Sequence, residues 1–190
     1  DTINDLIKKQ GIRLDIGGGN NPNPGFINMD ILPLPKVDIV WDLENTPWKV
    51  GGKIFPAESV SMATASHVLE HINPHKGVFI DVMNEIWRVL RPGGQFAFVV
   101  PHGESPGYIQ DPTHCNPMNE TTMHYFEPLS ETNLYQFYRP KPWKIVQQGF
   151  NPMGNLEVLL EKRPLDPSYE EGYQPFLKDI TKEPYDKRQR

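Results

Sequence analysis

The chain has 190 residues, 37% of them apolar and 23% charged, with a net charge of −5. That is enough apolar side chain for the core of one domain, and the acidic balance disfavours a sequence-independent grip on nucleic acid. A single cysteine, Cys115, excludes an internal disulfide and a cysteine-based zinc site. No apolar run approaches the ~20 residues of a membrane span. No basic, apolar leader opens the sequence at Asp1, so a cytoplasmic location is expected.

The 20 prolines mark the boundaries of the elements, because proline is excluded from helix interiors and central strands. Residues 4–10 read as the end of a helix, with Ile3, Leu6 and Ile7 on one face and Gly11 as the stop. Strands follow at residues 12–16, 26–31 and 37–43, and a weaker one at 60–66, where Ala and Ser dilute the β character. Residues 78–90 form the best helix, with Val78, Val82, Ile86, Val89 and Leu90 at helical spacing and a Pro92-Gly93-Gly94 terminator. An apolar strand is expected at 95–100, and two more at 143–148 and 156–161. From Pro164 onward the composition is that of a polar tail. Strands alternating with helices predict an α/β domain with a mostly parallel sheet, and the last two strands should pair antiparallel. Only nine residues, 17–25, separate the first two strands. A parallel crossover usually needs at least 10–12, so a hairpin stays open there.

Gly17-Gly18-Gly19 directly follows the first strand, where glycines let a ligand approach the main chain closely. Asp30 ends the second strand, placed to accept hydrogen bonds from ribose hydroxyls. The dinucleotide fingerprint wants a third glycine and an acid about 20 residues on. Here Asn20, Asn21 and Pro22 follow, and Asp30 lies 11 residues past Gly19. That spacing suits a ribose-bearing ligand without phosphate better than NAD.

The ordered series LDIGGG, NMDI, WDLENTP, ASHVLEHI and EIWRVLRPGGQFAFVVP, residues 14–101, resembles the class I S-adenosylmethionine-dependent methyltransferases, in particular the small type 11-like kind with a shortened first crossover. The resemblance implies a Rossmann-like three-layer α/β domain over residues 1–163. Its mostly parallel seven-stranded sheet would have the order 3-2-1-4-5-7-6, with strand 7 antiparallel, and the tail would span 164–190. It implies S-adenosyl-L-methionine as cofactor, S-adenosyl-L-homocysteine as product and the general activity EC 2.1.1.-. The implied cofactor residues are Asp15, Gly17, Gly18, Gly19, Asn20, Asp30, Ile31, Asp42, Leu43, Ser66 and His67. Among them Asp15 would steady the turn or hold the amino group, Asp30 bind the ribose, Asp42 with the Leu43 backbone meet the adenine, and Ser66 and His67 face the sulfonium. A small-molecule O- or N-acceptor would sit under a lid at 101–126, and the protein would be a monomer or homodimer. His67, His102 and His114 are the candidate bases. The alternatives are a catalytically inactive cofactor-binding module and an NAD-linked oxidoreductase.

His67-Val68-Leu69-Glu70-His71 also matches the H-x-x-E-H pattern of inverted zinc metalloproteases. That chemistry needs a long helix, and Pro74 follows too soon, so no metal is expected. Glu70 and His71 are expected to face solvent, and Cys115 to be a bystander.

Overall fold

The computed structural model describes residues 11–171; the helix end expected at 4–10 and most of the expected tail lie outside them. In chain order the elements are β1 (Ile12–Ile16), β2 (Ile27–Asp30), β3 (Ile39–Val40), β4 (Lys49–Val50), β5 (Lys53–Ile54) and β6 (Val60–Ser66). Helix α1 (Val78–Val89), β7 (Leu90–Pro101), the single turn α2 (Pro106–Ile109), β8 (Trp143–Phe150) and β9 (Asn155–Lys162) complete them. Seven strands form one sheet in the order β3-β2-β1-β6-β7-β9-β8. Strand β9 runs antiparallel to both neighbours, and the other pairs are parallel. With the separate hairpin β4–β5 set aside, this is the order the family resemblance implies.

The open question at the first crossover resolves as parallel: Leu14 pairs with Ile27 and Ile16 with Met29. No helix spans residues 17–26. Side chains do the stitching. Asp15, buried at the end of β1, accepts from Asn23 N at 2.6 Å and from the Thr64 hydroxyl at 3.1 Å. Asn28, fully buried in β2, donates to Gly19 O at 2.9 Å and Lys36 O at 2.8 Å. Ten residues thus suffice, because polar side chains satisfy the backbone that a crossover helix would otherwise satisfy internally.

Helix α1 lays Val82, Met83, Ile86 and Val89 into a core shared with Leu14, Ile16, Phe96, Phe98 and Leu160. Its buried face also carries a carboxylate, Glu85, which accepts from Trp48 N at 2.7 Å and is gripped by Arg88 at 2.7 and 2.8 Å. The helix ends at Val89, and the 91–94 turn takes the chain into the ladder, with Gly93 at φ 69°. The opposite sheet face carries the 17–26 connection over β1 and β2. Beyond it, Thr64, Ala97, Val99 and Leu159 remain half-buried beside a shallow groove.

Two expectations change at the third strand. Residues 37–43 contribute only the two-residue β3, because Asp42 turns the chain by accepting from Glu44 N at 3.0 Å. After it comes the unanticipated hairpin, turned by Gly51 (φ 56°) and Gly52 (φ 77°), the left-handed pair that tight hairpins favour. Among the described residues no helix is long and apolar enough to cross a membrane.

Candidate active site

A cavity of about 480 Å³ opens where β1, β2, β3 and β6 end, and Gly17, Asp30, Ile31, Asp42, Leu43 and His67 line it. Gly17 has φ 72°, and a Cβ there would lie 2.3 Å from Val68 Cγ2. The turn therefore requires glycine twice over, by dihedral and by space. Its N–H donates to Met29 O at 2.7 Å. Asp30 Oδ2 accepts from Gly19 N at 3.1 Å and Oδ1 from Leu32 N at 2.9 Å. These bonds fix the carboxylate at the cavity edge and leave each oxygen a further lone pair. Just past β3, Asp42 is held by Glu44 N, and Leu43 O accepts from Trp48 Nε1 at 2.9 Å. His67 sits just past β6 in the left-handed region, φ 55°, a conformation that non-glycine residues adopt chiefly at functional or strained sites. Its backbone N–H is anchored on Val99 O at 2.8 Å.

The remaining expected cofactor residues lie elsewhere. Asp15 faces the 17–26 connection and steadies that turn. Gly18 points at Asn28 and Asp15 rather than into the cavity. Gly19 contributes its N–H to Asp30, and Asn20 is exposed outside the lining. Ser66 lies off this cavity: strand alternation puts it on the face of Thr64, beside the shallow groove on the other side of the sheet. His102 also stands apart just past β7, 3.4 Å from Glu120, its ring 4.8 Å from that of Phe150 and tilted to it by 59°.

Beneath the cavity the chain makes a single tight turn, Leu69–His71. The long helix of a metalloprotease does not form. Contrary to expectation, Glu70 is fully buried, and neither of its carboxylate oxygens has a hydrogen bond. His67 Nδ1 lies 3.3 Å and His114 Nε2 3.9 Å from Glu70 Oε1. The segment expected to be a lid folds down onto this turn. Cys115 N and Asn116 N both donate to Glu70 O, at 2.9 and 3.0 Å, and Asn116 Nδ2 donates to Leu69 O at 3.0 Å. Thr113 hydrogen bonds hold the Asp111 carboxyl below its ordinary pKa, and burial, with the Cys115 and Glu70 charges, pushes the Tyr108 phenol up. Burial also raises the Cys115 thiol, with Glu44 adding to it, which keeps it protonated and poorly nucleophilic. Met29, Glu44, Val68, His71 and Ile72 also line the cavity, and the sequence did not point to them there.

The donor set tests which ligand fits. Three half-buried carboxylates, Asp30, Asp42 and Glu44, line the cavity with His67, His71 and a main-chain turn, and no lysine or arginine does. Hydroxyl and amino groups find acceptors there, and a pyrophosphate finds no cation. The lining thus suits a ligand that presents hydroxyl and amino groups better than one that presents a pyrophosphate.

Residues 27–98 match the family model described as a methyltransferase domain. Among solved structures, an S-adenosylmethionine-dependent methyltransferase from Mesorhizobium loti is similar at 12% identity and TM-score 0.53, over 84% of this chain and 95% of that one. One from Archaeoglobus fulgidus is similar at 15% identity and TM-score 0.54, over 83% and 89%. The [4+2]-cyclase SpnF shares the fold at 14% identity and TM-score 0.51, over 83% and 78%. No curated protein matches the sequence. The match over residues 27–98 and the strand order give the chain the fold of a methyltransferase domain, and S-adenosylmethionine is the cofactor that this similarity implies.

Proposed function

We propose that the protein transfers a methyl group from S-adenosylmethionine to an oxygen or nitrogen atom of a small-molecule acceptor. The observation that carries this is the convergence of Gly17, Asp30, Asp42 and His67 on one cavity, next to a turn clamped by the 106–116 segment. When bound, S-adenosylmethionine supplies a methyl group on a sulfonium, open to in-line displacement. Asp30 accepts hydrogen bonds from the ribose hydroxyls. Asp42 and the Leu43 main chain meet the adenine edge, and Gly17 lets the backbone approach the methionine part. Such fixed alignment is the larger share of catalysis, worth up to about 7–11 kcal/mol in favourable cases. His67 takes the proton that the acceptor loses, at Nε2, while Glu70 beside Nδ1 orients the ring and stabilises the imidazolium.

The test begins with calorimetry of S-adenosylhomocysteine binding. Asp30→Ala is expected to weaken it by about 10- to 100-fold, the worth of charged hydrogen bonds. An unchanged affinity removes Asp30 from the site, and no binding by the wild type at millimolar ligand removes the whole reading. An acceptor screen then reads turnover: His67→Gln should keep S-adenosylhomocysteine affinity and lose turnover. Full binding with no turnover on any acceptor would favour a binding module that has lost catalysis.

A further inference from the structure

Glu70, His71 and His114 each offer one ligand atom, and these atoms lie within 4.8 Å of one another. The expectation of no metal rested on His67 and His71 as the ligand pair. The structure pairs His71 with His114 instead, 43 positions further along the chain, their rings 4.7 Å apart edge to face.

The hydrogen bonds around the two imidazoles fix their tautomers. His114 Nδ1 lies 2.8 Å from Tyr108 O; a carbonyl only accepts, so Nδ1 carries the proton and Nε2 a lone pair. The Thr113 hydroxyl donates to Asp111 Oδ1 at 2.7 Å, which leaves its oxygen to accept from His71 Nδ1 at 3.0 Å. His71 Nε2 is then likewise a lone pair. Metal-bound histidines characteristically donate their other N–H to an oxygen in this way. Between them lies the Glu70 carboxylate, fully buried with both oxygens lacking a hydrogen bond. A buried carboxylate without a partner is costly. His67 Nδ1 lies 3.3 Å from Oε1 but outside hydrogen-bond geometry, and His114 Nε2, at 3.9 Å, is too distant to donate to it. A cation between the three donors removes the anomaly.

We propose that Glu70, His71 and His114 bind one divalent transition-metal ion of the zinc class, at the edge of the cofactor cavity that His71 also lines. Two histidines and one glutamate form a zinc donor set with a fourth position left for water or another ligand. Ligands about 2.1 Å from a tetrahedral ion lie roughly 3.4 Å apart, so the side chains close by about an ångström, and exposed His71 has room to move. Asp111 Oδ2, 3.7 Å from His114 Nε2, is a further oxygen within reach. Two donors come from the turn after β6 and one from the 106–116 segment, so the ion pins that segment to the core.

The experiment uses the full chain without an affinity tag, stripped with chelator and titrated with Zn²⁺ by calorimetry, with Co²⁺ absorption as a second readout. The wild type is expected to bind one Zn²⁺ with a dissociation constant below about 1 µM and to give the intense visible bands of four-coordinate Co²⁺. His71→Ala and His114→Ala should each weaken binding at least about 100-fold. Thr113→Val, at an exposed position whose hydroxyl joins His71 to Asp111, should weaken it by about 10- to 100-fold without endangering the fold. His75→Ala should bind like the wild type. No saturable Zn²⁺ binding by the wild type, or wild-type affinity in both histidine variants, overturns the site. S-adenosylhomocysteine titrated in parallel separates the two readings: its retention without Zn²⁺ binding sinks the metal site alone.

Discussion

Replacing Gly17 with alanine is expected to lower stability by about 2–5 kcal/mol and to abolish measurable S-adenosylhomocysteine binding. Two costs add. A left-handed backbone charges a Cβ-bearing residue roughly 1–2 kcal/mol, and Gly17 has φ 72°. The new Cβ would also meet Val68 Cγ2 at 2.3 Å, and overpacking of that kind costs about 1–3 kcal/mol. Val68 is half-buried and precedes the Leu69–His71 turn, so relief of the clash moves the cavity wall itself. The double variant Gly17→Ala/Val68→Ala tells the two costs apart: it should recover the steric share and leave the backbone share. Urea denaturation and calorimetry read both effects. A Gly17→Ala protein within about 0.5 kcal/mol of the wild type, with unchanged ligand affinity, would show that this turn is not the one the cofactor needs.

The glycine turn was legible because its signal is local: three glycines after an apolar strand, then an acid at the end of the next. Helix α1 was legible for a similar reason, since Val78, Val82, Ile86 and Val89 repeat at helical spacing. The strand order was not readable from periodicity, which carries no information on which strands pair; it came only through the family resemblance. The hairpin β4–β5 carried a Gly-Gly signal, but its strands of two residues each show no alternation to flank it. The face of Ser66 was not legible, because the end of a strand says nothing about which face a side chain takes, whereas its shared parity with Thr64 does. Glu70 was the hardest to read. Within His67–His71 it looks like a charge on a solvated turn, and what buries it is a segment about 44 residues away that folds back through Cys115 and Asn116.

Glu85→Ala is expected to destabilise the domain by about 3–4 kcal/mol and to weaken S-adenosylhomocysteine binding several-fold, although Glu85 touches no part of the cavity. Its Oε1 accepts from Trp48 N at 2.7 Å and from Arg88 Nη2 at 2.7 Å, and Oε2 accepts from Arg88 Nε at 2.8 Å. Trp48 is fully buried, so truncation strands its N–H without water, at about 1–3 kcal/mol, and a lost charged hydrogen bond adds about 1.5–3 kcal/mol. Arg88 is partly exposed, 29% at the side chain, and recovers some hydration, which holds the total below that of a fully buried pair. The effect on binding runs through the same tryptophan, whose indole N–H holds Leu43 O at 2.9 Å, and Leu43 lines the cavity. Glu85→Gln separates the routes: its carbonyl still accepts from Trp48 N while the ion pair with Arg88 is gone. It should lose roughly half the stability that alanine loses and keep ligand affinity. Equal loss of affinity in both variants would mean that the charge on α1, rather than the anchoring of Trp48, reaches the cavity.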